Sequence, residues 1–284
     1  VITLGITTYN QEVLWLRREL WNALIAQTDK DFELVIVDDN SGDQTSLVIK
    51  ELCAVYEPPF DLRLFRCTAE KKGFGVNALP QNIVFKEARG EVVVLCDDDG
   101  VVDSALIEYV KSLKVQETNG VYYGSQLYID PKTKEILEYD KRLGRYGSVP
   151  FFGRVKRIDK DDLHELGALV VFPTSLIRSI GGHEMENVGW RGNDARLGGR
   201  LKQVTQTYFV TDIAMRFLHF GLSWHMQAHK ENRHAEIRER TLSPNLGQCE
   251  LTPIANGGEK FWTSGILDSL YHEQFVWEVE HATG

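Results

Sequence analysis

The first hundred residues alternate short, continuous apolar runs with segments whose apolar residues recur at helical spacing. Nothing else in the chain restricts its fold as strongly. Residues 1–6, 32–37, 62–65 and 92–95 read as buried strands, and residues 14–25, 44–56 and 77–88 read as helices. Ser41 is placed to cap the second helix, and Pro58-Pro59 to end it. Strands separated by helices of this length pair in parallel through right-handed crossovers, in sheets covered on both faces. The expected class is therefore α/β, with a mostly parallel central sheet. At 284 residues the chain is long enough to bury a sizeable core as one such domain.

Downstream the pattern loosens. Residues 104–115 read as a helix, 120–139 have β character, and 168–172 read as another buried strand. Residues 141–162 mix Gly, Arg, Lys and Asp without a period, as expected of a loop that closes over a substrate. Arg142, Arg145, Arg154, Lys156 and Arg157 in that loop are either a diphosphate clamp or solvated charge. Residues 211–224 are apolar and aromatic, 225–240 carry a charged helix pattern, and the last forty residues look irregular. The expected division is 1–103, 104–224, and a C-terminal helical or irregular extension over 225–284. That extension is expected to shape an acceptor site or a subunit contact in a homo-oligomer.

Composition narrows the function classes. A net charge of −9 opposes a nonspecific grip on nucleic acid and a broadly basic membrane surface. Cys53, Cys67, Cys96 and Cys249 lie far apart without metal spacing and read as reduced thiols. No apolar run nears the roughly 18 residues that a membrane span needs. The chain opens inside a strand-like segment rather than a signal peptide. The expected setting is cytoplasmic, free or at a membrane periphery, with no integral membrane contact.

The chemistry concentrates where strands end. Thr7-Thr8-Tyr9-Asn10, Asp38-Asp39-Asn40-Ser41 and Asp97-Asp98-Asp99 each follow a predicted strand. In a parallel sheet the carboxyl ends share one rim, and ligands bind there. Three adjacent carboxylates raise one another's pKa unless a cation neutralises them. Oxygen ligands suit Mg²⁺ or Mn²⁺, with substrate phosphates completing the shell. A solvated acidic turn is the competing reading of the triplet. Thr, Tyr and Asn beside an Asp can hydrogen-bond to a nucleobase and stack on it.

These motifs, in this order, resemble the GT-A glycosyltransferases of family 2, which transfer sugar from a nucleotide-sugar donor with inversion. The likeness includes residues 35–43 as the second-strand signature and residues 75–90, with Asn77, Asn82, Ala88 and Gly90, as the helix before the DxD motif. It continues in Gly181-Gly182-His183-Glu184, in Gly189 through Leu201 as the acceptor-site helix, and in Leu218-His219-Phe220-Gly221-Leu222-Ser223 as a late strand end. The resemblance implies a Rossmann-like nucleotide-binding half and an acceptor-binding half. It implies donor contacts from Thr7, Tyr9, Asn10, Asp38, Asp39, Asn82, Asp97 and Asp98, with Asp38 reading the uracil edge of a UDP-sugar. A helix N-cap is the plainer reading for Asp39 or Ser41, and rim packing for Tyr9. Asp97 and Asp99 take the DxD positions and hold Mn²⁺ or Mg²⁺, with His219 completing the site in competition with His225 and His229. Asp194 is the implied general base toward an acceptor hydroxyl on a glycan or other compound. Trp190 and Arg191 border it as an acceptor floor or as packing. The family has Glu-Asp where this chain has Asn193-Asp194, which keeps the base and removes its neighbouring carboxylate.

Three other readings compete. Gly73-Phe74-Gly75-Val76-Asn77-Ala78 matches a dinucleotide fingerprint, but residues 68–72 separate it from the strand that the fingerprint requires next to it. A nucleotidyltransferase would carry a glycine-rich basic loop after the first strand, and Thr7-Thr8-Tyr9-Asn10 is not one. A non-catalytic sugar-nucleotide-binding module requires Asp194 to stand elsewhere.

Overall fold

Four parallel strands make the centre of the sheet. They are β1 (Ile2–Thr8), β2 (Phe32–Asp38), β3 (Asp61–Cys67) and β4 (Val92–Asp97), adjacent in the order β3-β2-β1-β4. The computed structural model describes residues 1–68, 78–130, 132–133, 135–139, 155–157, 168–183, 193–220 and 267–279.

The strands are apolar on both sides because both faces are covered. On one face Leu4, Ile6, Leu34, Ile36, Leu62, Leu64 and Val94 meet the helices α1 (Glu12–Arg17), α2 (Glu19–Ile25), α3 (Thr45–Tyr56) and α5 (Leu106–Ser112). On the other, Val35, Val37, Phe65, Val93 and Leu95 meet α4 (Ala78–Glu87), α7 (Thr174–Ser179) and α8 (Asn193–Val204). Each fully buried side chain of this kind contributes roughly 1.5–3 kcal/mol. Gly5 lets α4 approach closely, since a Cβ there would lie 2.2 Å from Val84 Cγ1.

Beyond β4 the sheet becomes mixed. β9 (Leu169–Pro173) is antiparallel to β4, and β6 (Val121–Ile129) is antiparallel to β9. β10 (Thr207–Val210) runs parallel to β6, and β8 (Val155–Arg157) closes that edge. β6 divides its pairing: Val121 to Gly124 stay with β10, while Ser125 to Ile129 pair with β11 (Arg216–Phe220). β7 (Ile136–Tyr139) and the short β5 (Gly100–Val102) complete this smaller sheet. The main sheet thus runs across the boundary expected at residue 103.

Several local expectations are revised. The helix read over 14–25 is two helices, because Arg18 takes a left-handed conformation (φ 64°) between α1 and α2. The helix over 104–115 likewise stops at Ser112, and Lys114 (φ 49°) separates it from α6 (Val115–Thr118). A single left-handed residue leaves apolar spacing almost unchanged, so periodicity does not reveal it. Ser41 does not cap α3, whose Thr45 N–H is accepted by Asp43 Oδ1 at 3.0 Å.

The last forty residues are not wholly irregular. Tyr271–Trp277 form β12, the edge strand antiparallel to β3. Thr68 N–H donates to Leu270 O (2.8 Å), Trp277 Nε1 to Pro58 O (3.1 Å), and the Tyr271 hydroxyl to Glu87. Residues 225–240 and most of 141–162 lie outside the described residues, as does Cys249. Cys53, Cys67 and Cys96 are buried and form no disulfide among the described residues. Among the described residues, no helix is long and apolar enough to cross a membrane.

Candidate active site

Strand register builds the rim. Thr8 pairs with Asp38, Asp38 with Arg66, and Thr7 with Asp97, so the three polar clusters end level with one another across four neighbouring strands. β5 then brings in a fourth group. Its antiparallel pairing sets Gly100 opposite His219, and His219 Nε2 stands 3.2 Å from Asp99 Oδ2. Phe220 N–H donates to Asp99 O at 2.9 Å. A Cβ at Gly100 would fall 2.4 Å from the Phe217 ring, so only glycine lets β11 come this close.

The first two clusters are interlocked. Asn10 and Asn40 both adopt positive φ (52° and 60°), which Asn tolerates better than most residues. Asn10 N–H donates to Ser41 Oγ (2.9 Å), and Asn10 Oδ1 accepts from Gly42 N–H (2.8 Å). Gln11 N–H donates to Thr45 Oγ1 (2.9 Å), and Trp15 Nε1 to Thr8 Oγ1 (3.1 Å). Asp38 has no exposed surface. Its carboxylate accepts from Ser41 N–H (2.8 Å), from the Ser46 hydroxyl and from Arg66 Nη1 (3.2 Å). Arg66 continues to Asn40 Oδ1 (3.1 Å) and Ser41 O (2.7 Å). Asp38 therefore fastens the second loop to β3. Asp39 N–H donates to Thr8 O (2.9 Å), and Tyr9 is half-buried on the same rim.

Electrostatics at the triplet favour a cation. Burial opposes a charge on His219, but the hydrogen bond and charge of Asp99, with the charge of Asp97, raise its pKa to about 9. Cys96, wholly buried beside the triplet, is pushed well up by burial and then by the three aspartate charges, so its thiol stays protonated. Tyr128 lies against the His219 ring with centroids 4.8 Å apart. Among the described residues, no three His, Cys, Asp or Glu side chains converge into a ready-made metal cage. Once a cation displaces the His219 proton, the adjacent Asp99 oxygen and His219 nitrogen could ligate Mg²⁺ or Mn²⁺, whose other ligands would come from substrate phosphates and water.

Asp194 is the second residue of α8, while Trp190 and Arg191 lie outside the described residues. Asn82 has no exposed surface, and both ends of its amide go to His183: Oδ1 accepts from the backbone N–H (2.7 Å) and Nδ2 donates to the carbonyl (2.9 Å). That pairing is what the described residues give Asn82.

The model for glycosyl transferase family 2 matches residues 3–181, well over half of the chain. The chain belongs to glycosyl transferase family 2. Asp194 and His219 stand beyond the matched segment.

The chain is similar to the poly(ribitol-phosphate) β-N-acetylglucosaminyltransferase TarS of Staphylococcus aureus, at 30% identity over 105 residues. That match takes in 36% of this chain and 17% of the relative, so the chain corresponds to a small part of that protein. Solved TarS 1–349 in complex with UDP-GlcNAc superposes with a TM-score of 0.57 at 19% identity, covering 77% of this chain and 58% of that one. The mannosyltransferase PcManGT of Pyrobaculum calidifontis, solved with GDP-Man and Mn²⁺, gives 0.52 at 17% identity, covering 82% and 61%. GalNAc-T7, solved with UDP, GalNAc and Mn²⁺, gives 0.56 at 14% identity, covering 78% and 44%. The fold is GT-A.

Two residues of this family member were not anticipated from its sequence. Arg66 lies just past the strand read over 62–65, in the observed β3, and its role follows from its register with Asp38. Tyr128 lies in a stretch read only as β, and its place follows from pairing with His219. A charged residue at the last turn of a buried strand was the available signal for the first; none pointed to the second.

Proposed function

We propose that this chain is an inverting glycosyltransferase that moves a sugar from a nucleotide-diphosphate sugar, with UDP as the nucleotide, to an acceptor hydroxyl. The observation that carries the reading is the common rim: three polar clusters in strand register, completed by His219 beside Asp99. Family membership supports sugar transfer, and relatives solved with UDP-GlcNAc or GDP-Man support a nucleotide-sugar donor.

In this reading Asp99 and His219, with Asp97, would hold Mn²⁺ or Mg²⁺. The ion, when bound, offsets the negative charge that develops on the departing diphosphate. Tyr9 stacks on the base while Thr7 and Asp39 bind it. Asn10, Asp38 and Arg66 keep that loop pair in shape, so Asp38 acts on the donor through its neighbours. Asp98 faces the sugar. Asp194 takes the proton of the acceptor hydroxyl as the oxygen attacks the anomeric carbon. Attack from the face opposite the diphosphate inverts that carbon.

A thermal-shift panel tests the donor assignment. The protein is heated with UDP, GDP, UDP-sugars or NAD, each with and without Mn²⁺. Stabilisation by UDP and a UDP-sugar only in the presence of Mn²⁺ is expected. Stabilisation by NAD instead, or by UDP equally in EDTA, overturns the reading.

A further inference from the structure

We propose that Arg200 and Asn82 are positioning residues that grip one turn from opposite sides and so set the helix carrying Asp194 against the donor rim. The inference rests on the reading of Asp194 as the base.

The turn spans residues 180–183. Gly181 and Gly182 hold positive φ (74° and 61°), and their N–H groups turn back to Arg178 O (2.9 Å) and Ile177 O (3.0 Å), closing the end of α7. The carbonyls of Ile180, Gly182 and His183 are left to partners outside that helix. Arg200, at 3% exposure, donates Nη1 to Gly182 O (2.8 Å) and Nη2 to Ile180 O. Asn82 takes the other side through His183, whose ring also stacks on Phe85 (centroids 6.0 Å, 12° between planes).

The two grips come from different parts of the site. Asn82 lies on α4, which packs against β1 and β2 and leads directly into β4 with its aspartates. Arg200 lies on α8, six residues after Asp194, which is about 9 Å along a helix. A helix is stiff over that distance, so fixing Arg200 fixes the height of the first turn.

Adhesion alone does not call for an arginine here. Leu197 and Leu201 already bury α8 against Ile177, Ile180 and Ile83. Desolvating a guanidinium is costly, and an apolar residue at its place would avoid that cost. What apolar contact does not supply is direction. Two bonds from one planar fork to carbonyls two residues apart select a single seating of the helix. A displacement of 1 Å in a reacting group can cost about 100-fold in rate.

The test compares wild type, Arg200→Met, Asp194→Asn and the double variant in three measurements. Amide hydrogen exchange reports the seating, calorimetry of UDP with Mn²⁺ reports the donor rim, and hydrolysis of UDP-N-acetylglucosamine with Mn²⁺ reports turnover. For Arg200→Met, faster exchange is expected at residues 181–183 and in the first turn of α8, with β4 unchanged. UDP affinity is expected to stay within about twofold, while kcat falls at least about tenfold at constant donor KM. The double variant is expected to be no slower than Asp194→Asn. Unchanged exchange at 181–183, or unchanged kcat while Asp194→Asn is inactive, overturns the proposal. So does loss of UDP affinity and β4 protection together with kcat, which marks general loosening. Wild-type turnover in Asp194→Asn removes the base reading instead and leaves the exchange result to stand separately.

Discussion

The donor rim and the helix that carries Asp194 are held in place by different physical means. At the rim every group sits at the end of a strand, and ladder bonds fix Thr8 against Asp38, Asp38 against Arg66 and Thr7 against Asp97. The helix start has no ladder. Its seating depends on Leu197, Leu201 and the few bonds that Arg200 makes to a glycine turn. A ladder is cooperative and loses little when one side chain is changed, whereas a side chain-to-backbone bond is lost whole. The difference makes binding and turnover separable by mutation.

The sharpest break comes from Asp194→Asn, which is expected to lower turnover by about 10²- to 10⁴-fold, the range of a general base. Calorimetric binding of UDP with Mn²⁺ is expected to match wild type. Equal turnover in the two proteins would sink the base assignment. Asp99→Ala is the converse. It removes the oxygen facing His219, a ligand in the proposed metal site, and is expected to weaken Mn²⁺-dependent UDP binding by at least about 100-fold, the most that loss of a mere partner of a metal ligand costs. UDP titrations in Mn²⁺ and in EDTA give the comparison, and equal Mn²⁺ dependence in variant and wild type would place the metal elsewhere.

The same contrast explains what could be read from the sequence. The strand-helix alternation foretells the central sheet because buried parallel strands are apolar on both faces, as Leu34 to Val37 are. It also foretells the common rim, since parallel strands end together. The left-handed break at Arg18 was not legible, because one residue hardly alters the spacing of Trp15, Leu20 and Leu24. β12 was missed because Tyr271 to Trp277 lie on an edge, with His272, Glu273 and Val276 exposed, so no continuous apolar run marks them. For Asn82 the motif was visible and the partner was not. Its binding to His183 joins residues 101 apart in sequence. Asp38 shows the same limit: its place was foreseen, but not that Ser41, Ser46 and Arg66 would occupy its oxygens.

Arg66 offers a way to sharpen the comparison within the rim itself. Arg66→Met removes a charged partner from a fully buried carboxylate and two bonds from the Asn40-Ser41 turn. Hydrogen bonds to charged groups are worth about 1.5–3 kcal/mol, and a loss of about 2 kcal/mol is expected in urea unfolding. UDP binding is expected to fall about tenfold, because the second loop loses its anchor while the Asp99–His219 pair is untouched. Wild-type UDP affinity in this variant would show that the interlock with Asn10 and Thr45 suffices by itself.

The smallest effect is expected away from both regions, at the surface beside the start of β2. Lys111 on α5 pairs with Asp29 (2.7 Å) and Asp31 (2.9 Å) in the turn before β2. Burial would raise the Asp29 pKa, but the Lys111 hydrogen bond, the Asp31 backbone N–H and the Lys111 charge bring it below its ordinary 3.8. Burial would lower that of Lys111, and the two aspartates raise it above 10.5 instead. A depressed carboxylate stabilises the fold above its unfolded pKa and loses that contribution as pH falls through the folded value. A raised lysine stabilises below its unfolded pKa and loses the contribution as pH rises through the folded value. The stability gap between wild type and Lys111→Met should therefore be flat between about pH 5 and 9 and close toward pH 2 and pH 12. The groups are partly exposed, so the gap at its widest is at most about 1 kcal/mol and shrinks further in 1 M salt. Urea unfolding of both proteins across that pH range checks it. A gap that persists at pH 2 or in high salt would assign the effect to the packing of the lysine stem and not to its charge.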